Sequence, residues 1–244
     1  MKSSDWSVIK AATEAGLPDP GFSIDSTTAI VITDPQNDFL RSDGVAWPVV
    51  KASVEENNTI SNMSRVFKLA KENNMKVFIS PHYFFPTDKA WKFEGALEKF
   101  MHVKDMYKRT GSLDMKGFED SGADFLDEFK KYISQENIIL CNPHKIYGCQ
   151  TTDLNLQLRK YKIQKVLMAG MSTNLCLESH TRQLLEEGFE VAVIADASAS
   201  AKLPGLDTFQ AALMNLRMIT SHIFTTEEFE EALKLAKMKS ENIS

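Results

Sequence analysis

Three side chains in this sequence have the types and settings needed to attack a carbonyl compound through sulfur. Cys176 closes the run Gly170-Met171-Ser172-Thr173-Asn174-Leu175-Cys176, where an apolar stretch passes into a helical one. A thiol in the first turn of a helix meets free backbone N–H groups and the positive end of the dipole, which favour thiolate and pull its pKa below roughly 8.5. The same N–H groups can stabilise an oxyanion. Asp34 ends the apolar run Thr28-Ala29-Ile30-Val31-Ile32-Thr33, and a carboxylate there is costly unless it has a partner or a task. Beside a thiol it can take the sulfur proton and hand it to a leaving amine. Lys145, in Asn142-Pro143-His144-Lys145-Ile146-Tyr147-Gly148, can stabilise both the thiolate and the oxyanion. Each residue also has an ordinary reading: a buried structural cysteine, a turn-capping carboxylate and an exposed loop lysine.

These residues need a scaffold that brings distant segments together. Short apolar runs occur at Thr28–Thr33, Val77–Ile79, Ile138–Leu140, Val166–Ala169, Val191–Ile194 and within Ile219–Phe224. Helical spacing lies between them, as in Ile60, Met63, Phe67 and Ala70, or Leu206, Phe209, Leu213 and Leu216. Thr225-x-x-Glu228 reads as a capping box opening the last helix. Residues 174–187 read as one helix closed by Gly188. Alternating strands and helices predict an α/β fold of three layers. Its centre is a Rossmann-like, doubly wound parallel sheet of about six strands. Ligands in such sheets sit beyond the carboxyl ends of the strands. Asp34, His82, Lys145 and the 170–176 turn all follow strands and are expected to converge. Residues 1–244 read as one domain with an N-terminal arm over 1–26. Residues 83–120 read as an irregular, aromatic-rich insertion, a lid or an oligomer contact.

Composition narrows the function classes. The chain has 244 residues, 43% of them hydrophobic, and a net charge of -5. Without a dense cluster of Lys and Arg, a nucleic-acid surface is not expected. No apolar stretch approaches the roughly 20 residues of a membrane span. Three irregularly spaced cysteines, Cys141, Cys149 and Cys176, form no disulfide framework and no zinc knuckle. Together with the absence of an apolar signal core near Met1, this predicts a cytoplasmic protein.

The order and setting of the motifs resemble the isochorismatase-like cysteine hydrolase superfamily. That group includes nicotinamidases, N-carbamoylsarcosine amidohydrolase and ureidoacrylate amidohydrolase. Asp34-Pro35-Gln36-Asn37-Asp38-Phe39 is similar to its D-x-Q-N-D-F signature. Gly170 to Ser179 is similar to its G-x-x-T-x-x-C-V-x-x element, and Asp196-Ala197 also fits. The resemblance spans roughly residues 26–230. It implies Cys176 as nucleophile, Asp34 as general base and Lys145 as third member of a triad that acts as one unit. It also implies a cis Met171–Ser172 peptide, with the Ser172 and Cys176 N–H groups forming the oxyanion hole, and a homodimer or homotetramer.

Two departures bear on the chemistry. Nicotinamidases bind a metal through Asp-x-His after the second strand, where this chain reads Ser80-Pro81-His82. No metal and no cofactor are therefore expected, and His82 is read as a substrate contact or a packed imidazole. True isochorismatases lack the cysteine. The resulting expectation is a hydrolase that cleaves the C–N bond of a small amide, ureido or N-carbamoyl substrate through a thioester. Phe39, His82 and Tyr147 are expected to touch substrate. The alternatives are a metal-assisted nicotinamidase-type amidase and a non-catalytic binding scaffold. His102, His144 and His222 show no metal spacing, and His180 reads as surface or packing.

Overall fold

The computed structural model describes residues 6–85, 88, 93–108 and 116–241. Six parallel strands form its central sheet: β1 (Thr28–Thr33), β2 (Val77–Ser80), β3 (Ile138–Leu140), β4 (Lys165–Met171), β5 (Glu190–Ala199) and β6 (His222–Phe224). They lie in the order β3-β2-β1-β4-β5-β6. The first three strands build outward in one direction, and β4 then returns to the other side of β1. This reversal places the topological switch between β1 and β4, the crevice where open α/β sheets bind ligands.

Alternation along the strands separates two apolar layers. Ile30, Ile32, Val77, Ile79, Leu167 and Ala169 face the helices Trp47–Glu56, Thr59–Glu72 and Thr226–Glu241. Ala29, Val31, Phe78, Val166 and Met168 face Leu154–Lys160, Glu178–Glu186 and Thr208–Ile219. The central strands are buried on both faces, which explains their continuous apolar runs. The N-terminal arm carries a helix, Ser7–Glu14, laid beside Thr208–Ile219. Arg217 fastens the following turn by donating to the carbonyls of Leu17 and Pro18. No helix among the described residues is long and apolar enough to cross a membrane.

Element boundaries differ from the sequence reading where backbone or side-chain bonds intervene. β5 continues past Ile194 to Ala199, with a register shift against β4 between Met168 and Gly170. Within this extension Asp196 accepts bonds from the N–H and hydroxyl of Thr226 and so starts the last helix. The predicted capping box forms beside it: Thr225 N–H donates to Glu228 Oε2, and Glu228 N–H to Thr225 Oγ1. Ile219 ends a helix, and the last strand begins at His222. The insertion is less irregular than expected, since Ala96–Val103 is helical. The expected 174–187 helix opens as a π-helical turn, Thr173–Leu177, before the α-helix Glu178–Glu186.

Gly170 sets the closest approach in the crevice. It pairs with Thr33 and has φ +105°, and an added Cβ would fall on the Thr33 carbonyl oxygen. Gly188 also has positive φ, but open space surrounds it. Gly170→Ala should therefore cost about 3 kcal/mol or more through overlap plus backbone strain. Gly188→Ala should cost only the left-handed penalty of about 1–2 kcal/mol. Urea unfolding midpoints for the two variants test this difference; equal losses would contradict it.

Candidate active site

The two motifs meet at the switch. Asp34 leaves β1 in a left-handed conformation, φ 46°, uncommon outside glycine, and this aims the carboxylate back across the strand ends. Pro35 follows and prevents the strand from continuing. From β4 the chain passes a cis Met171–Ser172 peptide into the π-helical turn that carries Cys176. π-Helical turns are concentrated at functional sites because they shift one residue out of helical register. Asp34 is fully buried and Cys176 nearly so, 4% exposed.

The rest of the D-x-Q-N-D-F motif holds the walls. Gln36 is buried; its amide nitrogen donates to the His82 and Ala123 carbonyls, and its Oε1 accepts the His82 N–H. Asn37 donates to the Ser121 carbonyl. Asp38 accepts the N–H groups of Tyr107 and Val45 at 2.6 and 3.2 Å. Burial raises the Asp38 pKa despite these donors. One short motif thus pins the exit of β2 and both returning ends of the insertion. Phe39 packs against Tyr107, whose ring stacks on His82.

The third position differs from the sequence expectation. Lys145 does not reach Asp34. Its ammonium lies 2.6 Å from Asp88 and 4.2 Å from the centre of the Phe85 ring. His144 Nε2 instead donates to Asp34 Oδ1 at 2.8 Å, both side chains being fully buried. Adjacent residues of an extended segment point in opposite directions, and here the inward one is His144. Its N–H donates to the Pro81 carbonyl, aligning it with the exit of β2 beside His82. The sequence reading passed over His144 because it sought metal spacing in the chain rather than a side chain facing Asp34. The only local signal was its position directly after Pro143 and one residue before Lys145.

The sulfur is not a resting thiolate. Burial, and then the Asp34 charge, push the Cys176 thiol well above its ordinary pKa. The backbone N–H groups of Ser172 and Cys176 do pull it down, as the helix-start argument required, but desolvation outweighs them. Both N–H groups therefore lie close enough to act on the sulfur. His82 and His180 are both buried, and burial lowers their pKa values, that of His180 to about 3. His180 Nδ1 donates to the Cys176 carbonyl and Nε2 accepts from Ser80 Oγ, so this residue is a buried brace for the cysteine turn. The bond to His180 occupies Ser80, and Ser80 replaces an aspartate. The residues after β2 therefore do not fit the metal set of the nicotinamidases.

A pocket of about 100 Å³ opens over the sulfur. Phe39, His82 and Tyr147 all line it, alongside Leu97, Met101 and Tyr107 from the insertion. Burial and the neighbouring Glu98 raise the Tyr147 pKa. Cys149 lies outside the lining, bonded to Gln183, with its pKa raised to about 12 by burial.

A doubly wound sheet with a buried Cys–Asp–His group at its switch point defines the class of protein. Comparison with known proteins supplies the family. The isochorismatase domain model matches residues 28–228, and the chain belongs to that family. It is 23% identical over 207 residues to nicotinamidase 3 of Arabidopsis thaliana, covering 84% of this chain and 88% of the other. A cysteine hydrolase from Pseudomonas syringae pv. phaseolicola 1448A superposes with TM-score 0.72 at 18% identity, over 90% of this chain and 98% of that one. The N-carbamoylsarcosine amidase of Thermoplasma acidophilum gives TM-score 0.57 at 19% identity, over 82% and 96%.

Proposed function

We propose that this protein hydrolyses the C–N bond of a small, uncharged amide, with Cys176 as nucleophile. The carrying observation is the buried thiol beside Asp34 at the floor of a pocket on the switch point. Membership of the isochorismatase family supports this reading, as do relatives named nicotinamidase and N-carbamoylsarcosine amidase.

The raised thiol pKa dictates the order of events. Sulfur attacks the carbonyl carbon as its proton moves to Asp34, so a free thiolate never has to exist in the apolar site. The new oxyanion is received by the Ser172 and Cys176 N–H groups. As the C–N bond breaks, the amine leaves with the proton held on Asp34, and a thioester to Cys176 remains. Water then gives a proton to Asp34 and adds to the thioester. Collapse returns the proton to sulfur and releases the acid. His144 holds one carboxylate oxygen and leaves the other, Oδ2, without a hydrogen-bond partner among the described residues and available for these transfers.

The pocket wall favours neutral substrates. Among its described lining residues there is no lysine or arginine, and an unpaired carboxylate buried there would cost several kcal/mol. Ammonia or amine release should be measured across neutral aliphatic and aromatic amides, ureido acids and N-carbamoyl amino acids. Neutral amides should exceed their carboxylate-bearing counterparts by about 100-fold or more in kcat/KM. A preference for the ureido or carbamoyl acids would overturn the neutral-substrate part of the reading.

A further inference from the structure

The donors that surround the thiol have a second capacity. We propose that Asp34, His82, His144 and Cys176 bind a thiophilic divalent cation of the zinc type, and that its binding switches the nucleophile off. One potential ligand atom from each residue lies within 4.8 Å of all the others, and all four side chains are buried. One carboxylate, two imidazoles and one thiolate are a donor set that zinc takes in tetrahedral geometry. Zinc bonds of about 2.0–2.3 Å put tetrahedral donors about 3.3–3.8 Å apart, so the widest pair must draw in by roughly 1 Å.

Three features favour a cation over a fully satisfied polar cluster. First, Asp34 Oδ2 and His144 Nδ1 are buried, and among the described residues neither has a partner within hydrogen-bonding distance and angle. Two orphaned acceptors in one cluster call for a cation or a donor. Second, His82 is already oriented as a ligand. Its Nε2–H donates to the Lys145 carbonyl at 2.9 Å, which leaves Nδ1 as the ring's ligand atom. A backbone carbonyl on the far nitrogen is the usual support of a metal-binding histidine. Third, the ammonium that would repel a cation is absent from the centre, because Lys145 is turned to Asp88 and His144 stands against Asp34.

The charge balance suits an apolar pocket. The incoming ion displaces the Cys176 proton to the buffer. Carboxylate, thiolate and divalent ion then sum to zero, with both imidazoles neutral. Four protein donors fill the tetrahedron, leaving no open position for water and committing both the sulfur and the Asp34 base. Binding follows from the geometry alone; the loss of activity rests on Cys176 being the nucleophile.

Titration of the metal-free protein with cobalt(II), the spectroscopic stand-in for zinc, reads the site directly. The expected result is one ion per chain, with intense visible absorption of a tetrahedral centre and a thiolate-to-cobalt charge-transfer band. Cys176→Ser should lose that band. His82→Ala and His144→Ala should each weaken binding about tenfold or more, and Lys145→Ala should bind as the parent does. In the unsubstituted protein, zinc should protect Cys176 from iodoacetamide, read by mass spectrometry, and should inhibit amide hydrolysis until a chelator is added. A pale octahedral spectrum, a charge-transfer band that survives in Cys176→Ser, or unprotected Cys176 would each overturn the site. Activity that rises with zinc would overturn the switch. Thiol-dependent turnover with no cobalt spectrum removes this proposal alone, whereas metal-free turnover that survives Cys176→Ala removes the nucleophile reading and leaves the cobalt result standing.

Discussion

Cys176→Ala should abolish amide hydrolysis, with a loss of roughly 10³–10⁶-fold in kcat, while the protein stays folded. The size follows from the roles. Without sulfur there is no thioester route, and the remaining pocket and N–H groups supply only the modest residual catalysis seen when a nucleophile is removed. Stability should change little. The thiol is one small group in a large apolar core, and its contact with the Ile146 carbonyl, at 3.8 Å, is weak. The Ser variant separates the two contributions further. Its hydroxyl fits the same space but is a far weaker nucleophile, so Cys176→Ser should stay close to the alanine variant in rate. Steady-state rates on the best substrate, with circular dichroism to verify folding, decide the matter. Parent-like rates in Cys176→Ala would sink the mechanism.

The second large effect distinguishes two neighbouring residues. His144→Ala should lower kcat by roughly 10²-fold or more, the scale of a displaced general base. Lys145→Ala should change it by no more than about threefold. His144 is fully buried against Asp34 Oδ1, so its removal leaves a buried carboxylate with neither donor nor fixed orientation. The Lys145 ammonium pairs with Asp88, both side chains about a fifth exposed, and packs over the Phe85 ring, so its loss removes an ion pair and not a partner of Asp34. Asp34→Asn should match or exceed the His144→Ala loss. The Asp34→Asn, His144→Ala double variant should be little worse than the poorer single one, because the two residues serve one proton transfer. A rate that collapses in Lys145→Ala and survives in His144→Ala would restore the lysine to the site and refute the geometry described above.

Much of the site was legible because strand ends are legible. The apolar runs ending at Asp34 and at Gly170 mark two adjacent strand ends, and the structure brings Asp34 and Cys176 together there. Burial on both faces makes central strands continuous in apolarity, and this leaves an unmistakable trace in sequence. The choice between His144 and Lys145 left no such trace. Both residues can serve a carboxylate, they are adjacent, and which one points inward depends on the backbone direction set by the bond between the His144 N–H and the Pro81 carbonyl. Sequence pattern carries no such long-range bond.

The thiol illustrates the same limit in electrostatics. A cysteine at a helix start is expected to be acidic, and the local donors are indeed present. Its pKa nevertheless moves up, because burial and the Asp34 charge outweigh them. Neither quantity can be read from residues 170–176. The motif Gln36-Asn37-Asp38 likewise looked like part of a signature without a task. Its side chains prove to clamp His82, Ser121 and Tyr107, residues 46 to 84 positions away in the chain.

The sequence by itself determined the α/β class, the parallel strands, the capping of the last helix and the candidacy of Asp34 and Cys176. All of these rest on periodicity and local bonding, which act over a few residues. Tertiary structure alone decided that His144 faces Asp34, that Lys145 leaves for Asp88, that burial raises the thiol pKa and that four metal-competent donors come within 4.8 Å of one another. Those outcomes depend on distances between strand ends and on water excluded from the crevice, and both exist only once the sheet has closed around its switch point.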